Sequence, residues 1–267
     1  MNDDLTLLIE AARRAGRIAL DRRAAGLTIQ SKAGGSPVTN GDLAVNEFLL
    51  DGLRTARPDY GWLSEETLDD PARLRTQRQF VVDPIDGTVA YIKGRPWWSV
   101  AIAVVENGQP IVAVVHAPTL DETFSASLGE GARLNGGAIH ASDANRLEDA
   151  SMLADAALLE RPIWEEPWPT MRLERRNSIA YRMALVGAGA FDAAISLGAK
   201  WDWDLAAGSL IASEGGASAT DHGGRPFRFN QPIPQQASLV CAAPGLHPLI
   251  IARCQPIALT DPNDGKP

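Results

Sequence analysis

Apolar positions along this chain recur with two periods. Leu5, Leu8, Ile9, Ala12 and Ile18 fall at helical spacing, which predicts a first helix ending near Gly26. Arg13, Arg14 and Arg17 lie on its other side and read as a solvated face. Leu27 to Ser31 predicts a short strand, followed by a flexible Lys32-to-Pro37 loop. Val38-Thr39-Asn40-Gly41-Asp42 opens a second helix carrying Leu43, Val45, Phe48, Leu49 and Leu53. The pattern then changes to short strands at Tyr60 to Leu63 and Phe80 to Val82, the second reading as buried. Ser99 to Glu106 and Gln109 to His116 are strands joined by Asn107-Gly108, the strongest short hairpin signal. Glu122 to Ser125 and Ala132 to Leu134, near several glycines, extend this to a meandering sheet, and a first half ends near residue 145.

The second half opens with a strand at Met152 to Ala154. A Pro/Trp-rich stretch from Arg161 to Trp168 follows and fits neither period, with Trp164 and Trp168 reading as core. Ser178 to Val186 predicts a helix capped by Gly187 or Gly189. Phe191 to Leu197 is a strand, and a helix runs from Trp201 to Gly215-Gly216. Its small residues Ala206, Ala207 and Gly208 permit close backbone approach, which a crowded site could use. Strands at Ala217 to Thr220 and Ser238 to Val240, a helix from Pro244 to Arg253 and a disordered tail from Thr260 complete the expectation. The units are residues 1–145 and 146–267.

Composition removes several function classes. The formal charge is -8, so counterion release from a nucleic-acid polymer has no basic surface to work with. The acidic N-terminus lacks a signal peptide and no run is long enough to span a membrane. The two cysteines, Cys241 and Cys254, make neither a zinc motif nor a disulfide framework, and a reducing cytoplasm is the simplest home.

The candidate chemistry centres on Asp83-Pro84-Ile85-Asp86-Gly87-Thr88, where Pro84 and Gly87 mark a turn at the carboxyl end of a strand. Two carboxylates held on a tight turn repel each other unless a positive charge joins them, which suggests a hard cation such as Mg2+. Gly87 and Thr88 would head a short helix with free backbone N–H groups, an anion site. The alternative is a turn in which Asp83 caps a helix and Asp86 is solvated. Asp42 and Asp204 each stand near a helix start, where an acid also favours the dipole. Ser64-Glu65-Glu66 ends a strand one loop away, so a shared acidic cluster is a reasonable expectation. His116, His140, His222 and His247 are scattered, and the Gly-Ala-Gly at 187–189 follows a helix and so makes no dinucleotide fingerprint.

In order and spacing, Val38-Thr39-Asn40-Gly41-Asp42, Ser64-Glu65-Glu66, Asp83 to Thr88 and Trp203-Asp204-Leu205-Ala206-Ala207-Gly208 resemble the inositol monophosphatase-like family of metal-dependent, lithium-sensitive phosphatases. The resemblance implies an α/β (α+β) fold, a layered α-β-α-β-α sandwich with the active site between its halves. It implies two to three Mg2+ ions, with Mn2+ as substitute and Li+ as inhibitor. Asp83, Asp86 and Asp204 would hold one ion, Glu65 and the Ile85 carbonyl a second, and Asp42 with Glu65 a third. Gly87 and Thr88 would bind phosphate, and Thr88 with Glu65 would orient the attacking water. The partner would be a small phosphate ester, and family members are often homodimers.

Departures bear on the substrate. Ala90 stands where the family often has Asn, and Leu197 where inositol-specific members carry a Glu for ring hydroxyls. Tyr91-Ile92-Lys93-Gly94 looks more like the branch acting on 3'(2'),5'-bisphosphate nucleotides, with Lys93, Arg95 and Lys200 as candidates for a second phosphate. Inositol-1-phosphate and histidinol phosphate are the alternative substrates. A catalytically idle metal-binding regulatory protein is the alternative of another class.

Overall fold

The computed structural model describes residues 3–32, 34–260 and 262–263. The first layer is a helix pair, α1 (Asp3–Ala25) and α2 (Asn40–Ala56), connected through an antiparallel ribbon of β1 (Ile29–Ser31) and β2 (Pro37–Thr39). Thr39 ends the ribbon and starts the helix, its hydroxyl accepting from the N–H groups of Gly41 and Asp42.

Behind this pair lies a seven-stranded sheet in sequence order: β3 (Gly61–Ser64), β4 (Arg78–Asp86), β5 (Ser99–Glu106), β6 (Gln109–Ala117), β7 (Glu122–Ser127), β8 (Ala132–Leu134) and β9 (Gly137–Ala138). Only the β3–β4 pairing is parallel. Period-2 geometry sends Phe80 and Val82 toward α1 and α2, and Val81 to the opposite face. Both faces of β4 are covered, which is why its sequence is a continuous apolar run. Asn107 and Gly108 take positive φ of 52° and 78°, the mirror-image hairpin turn expected.

The middle layer is α5 (Ile179–Gly187) against α6 (Asp202–Glu214), which packs on the large sheet. A second sheet follows in the order β11 (Arg172–Glu174), β10 (Ser151–Leu153), β12 (Ala193–Ser196), β16 (Leu239–Ala242), β14 (Ser218–Thr220). The outer layer holds α4 (Ala156–Leu159) and α7 (His247–Cys254), packed on Met152, Ile195 and Val240. The short α3 (Thr88–Ile92) leaves the end of β4, and β13 (Lys200–Trp201) pairs with β15 (Gln235–Gln236) just before α6. The result is an α-β-α-β-α sandwich. Among the described residues no helix is long and apolar enough to cross a membrane.

Local readings are corrected in four places. The strand before the acidic pair does not stop at Val82 but runs to Asp86, with a shift of register between Asp83 and Asp86. The unassigned Pro/Trp region is bordered by α4 and β11, both too short to show a period. Trp164 and Trp168 meet edge to face at 5.0 Å. The small residues of α6 do not open a site: a Cβ on Gly208 would lie 2.9 Å from the Cβ of Met183, so glycine there lets α5 and α6 approach. Part of the expected tail is ordered, since the Asn263 amide donates to the carbonyls of Ile233 and Gln235; residues 261 and 264–267 lie outside the described residues.

Candidate metal centre

A bulge turns the end of β4 into a ligand cradle. There Asp86 stands opposite Ser99 after the register shift, while Asp83 accepts from the Ile85 N–H at 3.0 Å. Asp204 arrives from the first turn of α6, its Oδ2 accepting from the Trp201 N–H at 2.9 Å. One oxygen from each of Asp83, Asp86 and Asp204 lies within 4.8 Å of the others.

Such crowding opposes ionisation. Burial, followed by the charges of Glu65, Asp86 and Asp204, holds Asp83 well above the usual carboxylate range. Asp204 is pushed up to about 8 by burial and then by Asp86 and Glu65. Asp86 reaches only about 6, because burial is opposed by hydrogen bonds from Ser178 and from the Ala180 and Ile179 N–H groups. An all-oxygen, crowded acidic trio is the donor chemistry of a hard divalent cation, and such a charge removes the repulsion that keeps protons on the site.

Asp42 caps α2 with one oxygen and faces Thr88 with the other. Its Oδ2 accepts from the Thr39 N–H at 2.8 Å and the Thr39 hydroxyl at 2.6 Å, completing the capping box of α2. Its Oδ1 lies 3.2 Å from Thr88 Oγ1, which is also 3.2 Å from the Ile85 carbonyl. Gly87, at φ +93°, caps α3, and the first N–H groups of such a helix have no intrahelical acceptor. Glu65 lies outside the trio and is held by Lys32.

The basic candidates separate. Lys93 and Arg95 are exposed around the end of α3, and no hydrogen bond or ion pair draws them toward the acids. Lys200 is half-buried, its ammonium on the carbonyls of Gly198 and Ala199; burial lowers its pKa against the attraction of Asp204. Leu197 packs at the edge of the core between the second sheet and α7. No histidine belongs to the trio.

Two further residues bind the candidate acids without a sequence signal. Lys32 was legible only as part of a loop, Ser178 only as the start of a helix. Arg182, one turn later on α5, donates through Nε to the Arg176 carbonyl at 2.7 Å, and burial lowers its pKa against the pull of Asp86. The acids that Lys32 and Ser178 bind lie far away in the chain, so spacing could not reveal them.

A layered sandwich here gathers three carboxylates at a strand end, beside a helix start, a donor set suited to a hard divalent cation. The chain belongs to the inositol monophosphatase family, whose sequence profile matches residues 1–258. It is 30% identical to the Nus factor SuhB of Pasteurella multocida, over 96% of this chain and 97% of that protein. It is 34% identical to the 3'(2'),5'-bisphosphate nucleotidase CysQ of Escherichia coli K12, over 76% of this chain and 83% of that one. Among solved structures, the Thermotoga maritima IMPase superposes with a TM-score of 0.81 at 28% identity, covering 94% of this chain and 96% of the other.

Proposed function

We propose that this protein is a Mg2+-dependent phosphomonoesterase of the cytoplasm, acting on a small soluble phosphorylated metabolite in the manner of a 3'(2'),5'-bisphosphate nucleotidase. The observation that carries the reading is the convergence of Asp83, Asp86 and Asp204 within 4.8 Å beside Gly87 and Thr88.

In this reading Asp83, Asp86 and Asp204 hold one ion, Glu65 and the Ile85 carbonyl a second, and Asp42 with Glu65 a third. When bound, the ions lower the pKa of a water and neutralise charge on the phosphate. The chain's own groups do the rest. Thr88, its hydroxyl donated to Asp42, keeps lone pairs for a hydrogen of the attacking water, and Glu65 accepts the other. The N–H groups of Gly87 and Thr88 donate to phosphate oxygens as charge builds there. No side chain needs to form a covalent intermediate.

Likeness to the nucleotidase CysQ supports the substrate class. Trp201, 40% exposed and stacked on Trp203 with ring centroids 4.7 Å apart, offers a flat apolar surface next to Lys200. Leu197 supplies no acceptor for ring hydroxyls, which a polyol would leave unpaired. The likeness to proteins named Nus factor SuhB gives the regulatory reading its one support. Retention of Asp42, Glu65, Asp83, Asp86, Thr88 and Asp204 together favours the enzyme.

The test is kcat/KM for 3'-phosphoadenosine 5'-phosphate against inositol 1-phosphate at fixed Mg2+. Preference for the nucleotide is expected. Preference for inositol phosphate overturns the substrate assignment and leaves the phosphatase assignment standing, and no turnover of either favours the regulatory reading.

A further inference from the structure

Asp86 is held by groups from the other half of the chain. Its Oδ2 lies 2.6 Å from Ser178 Oγ and 2.7 Å from the Ala180 nitrogen, so one carboxylate oxygen is taken up by the N-terminus of α5. Ser178 Oγ is also 3.0 Å from Ser99 Oγ and 3.0 Å from the Tyr181 nitrogen. Ser178 and Ser99 are fully buried at 0% exposure.

The proton positions follow from donor and acceptor counting. An ionised Asp86 only accepts, so Ser178 donates to it. The Tyr181 N–H donates to Ser178 Oγ, which has spent its single hydrogen, and Ser99 must therefore donate to Ser178 as well. Every hydrogen in the chain Ser99 → Ser178 → Asp86 points toward the acid. Hydrogen bonds of this kind to an ionised acceptor are the strong ones.

We infer that Ser178 is a positioning residue of the metal centre: with the Ala180 N–H it fixes one oxygen of Asp86, so that only the other turns toward Asp83 and Asp204 as a single, oriented ligand atom. The inference rests on the metal reading of Asp86. It makes the centre dependent on the docking of α5 against β4, and it gives the helix cap a second duty. Outer partners of ligating groups act in this way, orienting the ligand and tuning its basicity.

The experiment is isothermal titration of Mn2+ and Mg2+ into the full-length metal-free protein, with Ser178→Ala, Ser99→Ala and Asp155→Ala beside wild type. Asp155 caps α4, away from the trio, through a bond to the Ala157 N–H, and serves as a cap-only control. Ser178→Ala is expected to raise the Kd for both ions by about 10-fold or more, the range typical of outer-shell partners. Ser99→Ala, which spares the cap, is expected to raise it less and in the same direction. Asp155→Ala is expected to lower the melting temperature with Kd unchanged. A Kd for folded Ser178→Ala within about twofold of wild type, below that outer-shell range, overturns the inference and leaves a structural cap. Should Ser178→Ala fail to fold, an unchanged Kd in Ser99→Ala overturns it equally. Failure of wild type to bind either ion overturns the metal reading itself.

Discussion

The Lys32 ammonium lies 2.6 Å from Glu65 Oε1 and 2.6 Å from Glu66 Oε1, so one cation from the loop between β1 and β2 is shared by two carboxylates. Burial opposes the charge on Lys32, but Glu65 and then Glu66 hold its pKa above the ordinary value. Glu66 is pushed up to about 7 by burial, with Lys32 pulling the other way. Replacing the ammonium leaves two acids facing each other beside the trio. Lys32→Met is expected to destabilise the metal-free protein by about 1 kcal/mol or less, since the pair is part-exposed and screened. Its melting temperature should rise further on adding Mg2+ than that of wild type. Equal shifts in both proteins would show that Lys32 and the ions do not share these acids.

Asp86→Asn keeps the shape of the side chain and one of its acceptor oxygens while removing the charge. Turnover should fall by more than the ~10–100-fold that outer-shell changes cost. Circular dichroism should be unchanged, because the amide can still accept from Ser178. Activity near wild type would remove Asp86 from the set of ligands.

The pH dependence of the metal-free protein has a definite sign. Asp204, pushed up to about 8, and Asp86, up to about 6, both stand above their ordinary value of 3.8. Between about pH 4 and pH 8 the folded state therefore holds protons that the unfolded chain has released. Stability is lost as pH rises through that window. Melting temperatures measured in chelator should fall from pH 5 to pH 8, and the rise produced by saturating Mg2+ should grow over the same interval. A flat profile in chelator would mean that burial and mutual repulsion do not hold protons on Asp204 and Asp86 in the folded state.

Gly208 tests how closely the middle layer controls the centre. A Cβ there would lie 2.9 Å from the Met183 Cβ and 3.0 Å from the Ala180 carbonyl, on the same turn of α5 whose N–H holds Asp86. Gly208→Val is expected to cost about 1–3 kcal/mol by overpacking. Divalent-ion affinity should weaken with it, as α5 is pushed away from β4. Loss of stability with unchanged affinity would show that α5 and the centre are independent.

Much of this was legible in the sequence, for identifiable reasons. The run at Phe80 to Val82 marked a buried strand, Asn107-Gly108 a hairpin, and the spaced acids a shared cluster. Those features are local, and local patterns survive into the fold. The bulge that carries β4 on to Asp86 was hidden by Pro84 and Gly87, which look like a turn. Gly208 was read as room for ligands when it makes room for Met183. Lys32 and Ser178 act through partners 33 and 92 positions away, as in Lys32 with Glu65 and Ser178 with Asp86, and no spacing rule connects them. The helix-start role of Asp42 was legible from its place at the start of α2, and its second oxygen faces Thr88.

The acidic trio is proposed to make this protein a metal-dependent phosphatase. The most direct measurement is release of inorganic phosphate from a generic aryl phosphate by the purified protein, titrated with Mg2+ from zero in chelator. Release that is absent without the ion, rises to saturation with it and disappears in Asp86→Asn is the predicted result. No release at any Mg2+ concentration, from protein shown to bind the ion, would contradict the claim and leave a metal-binding protein without catalysis.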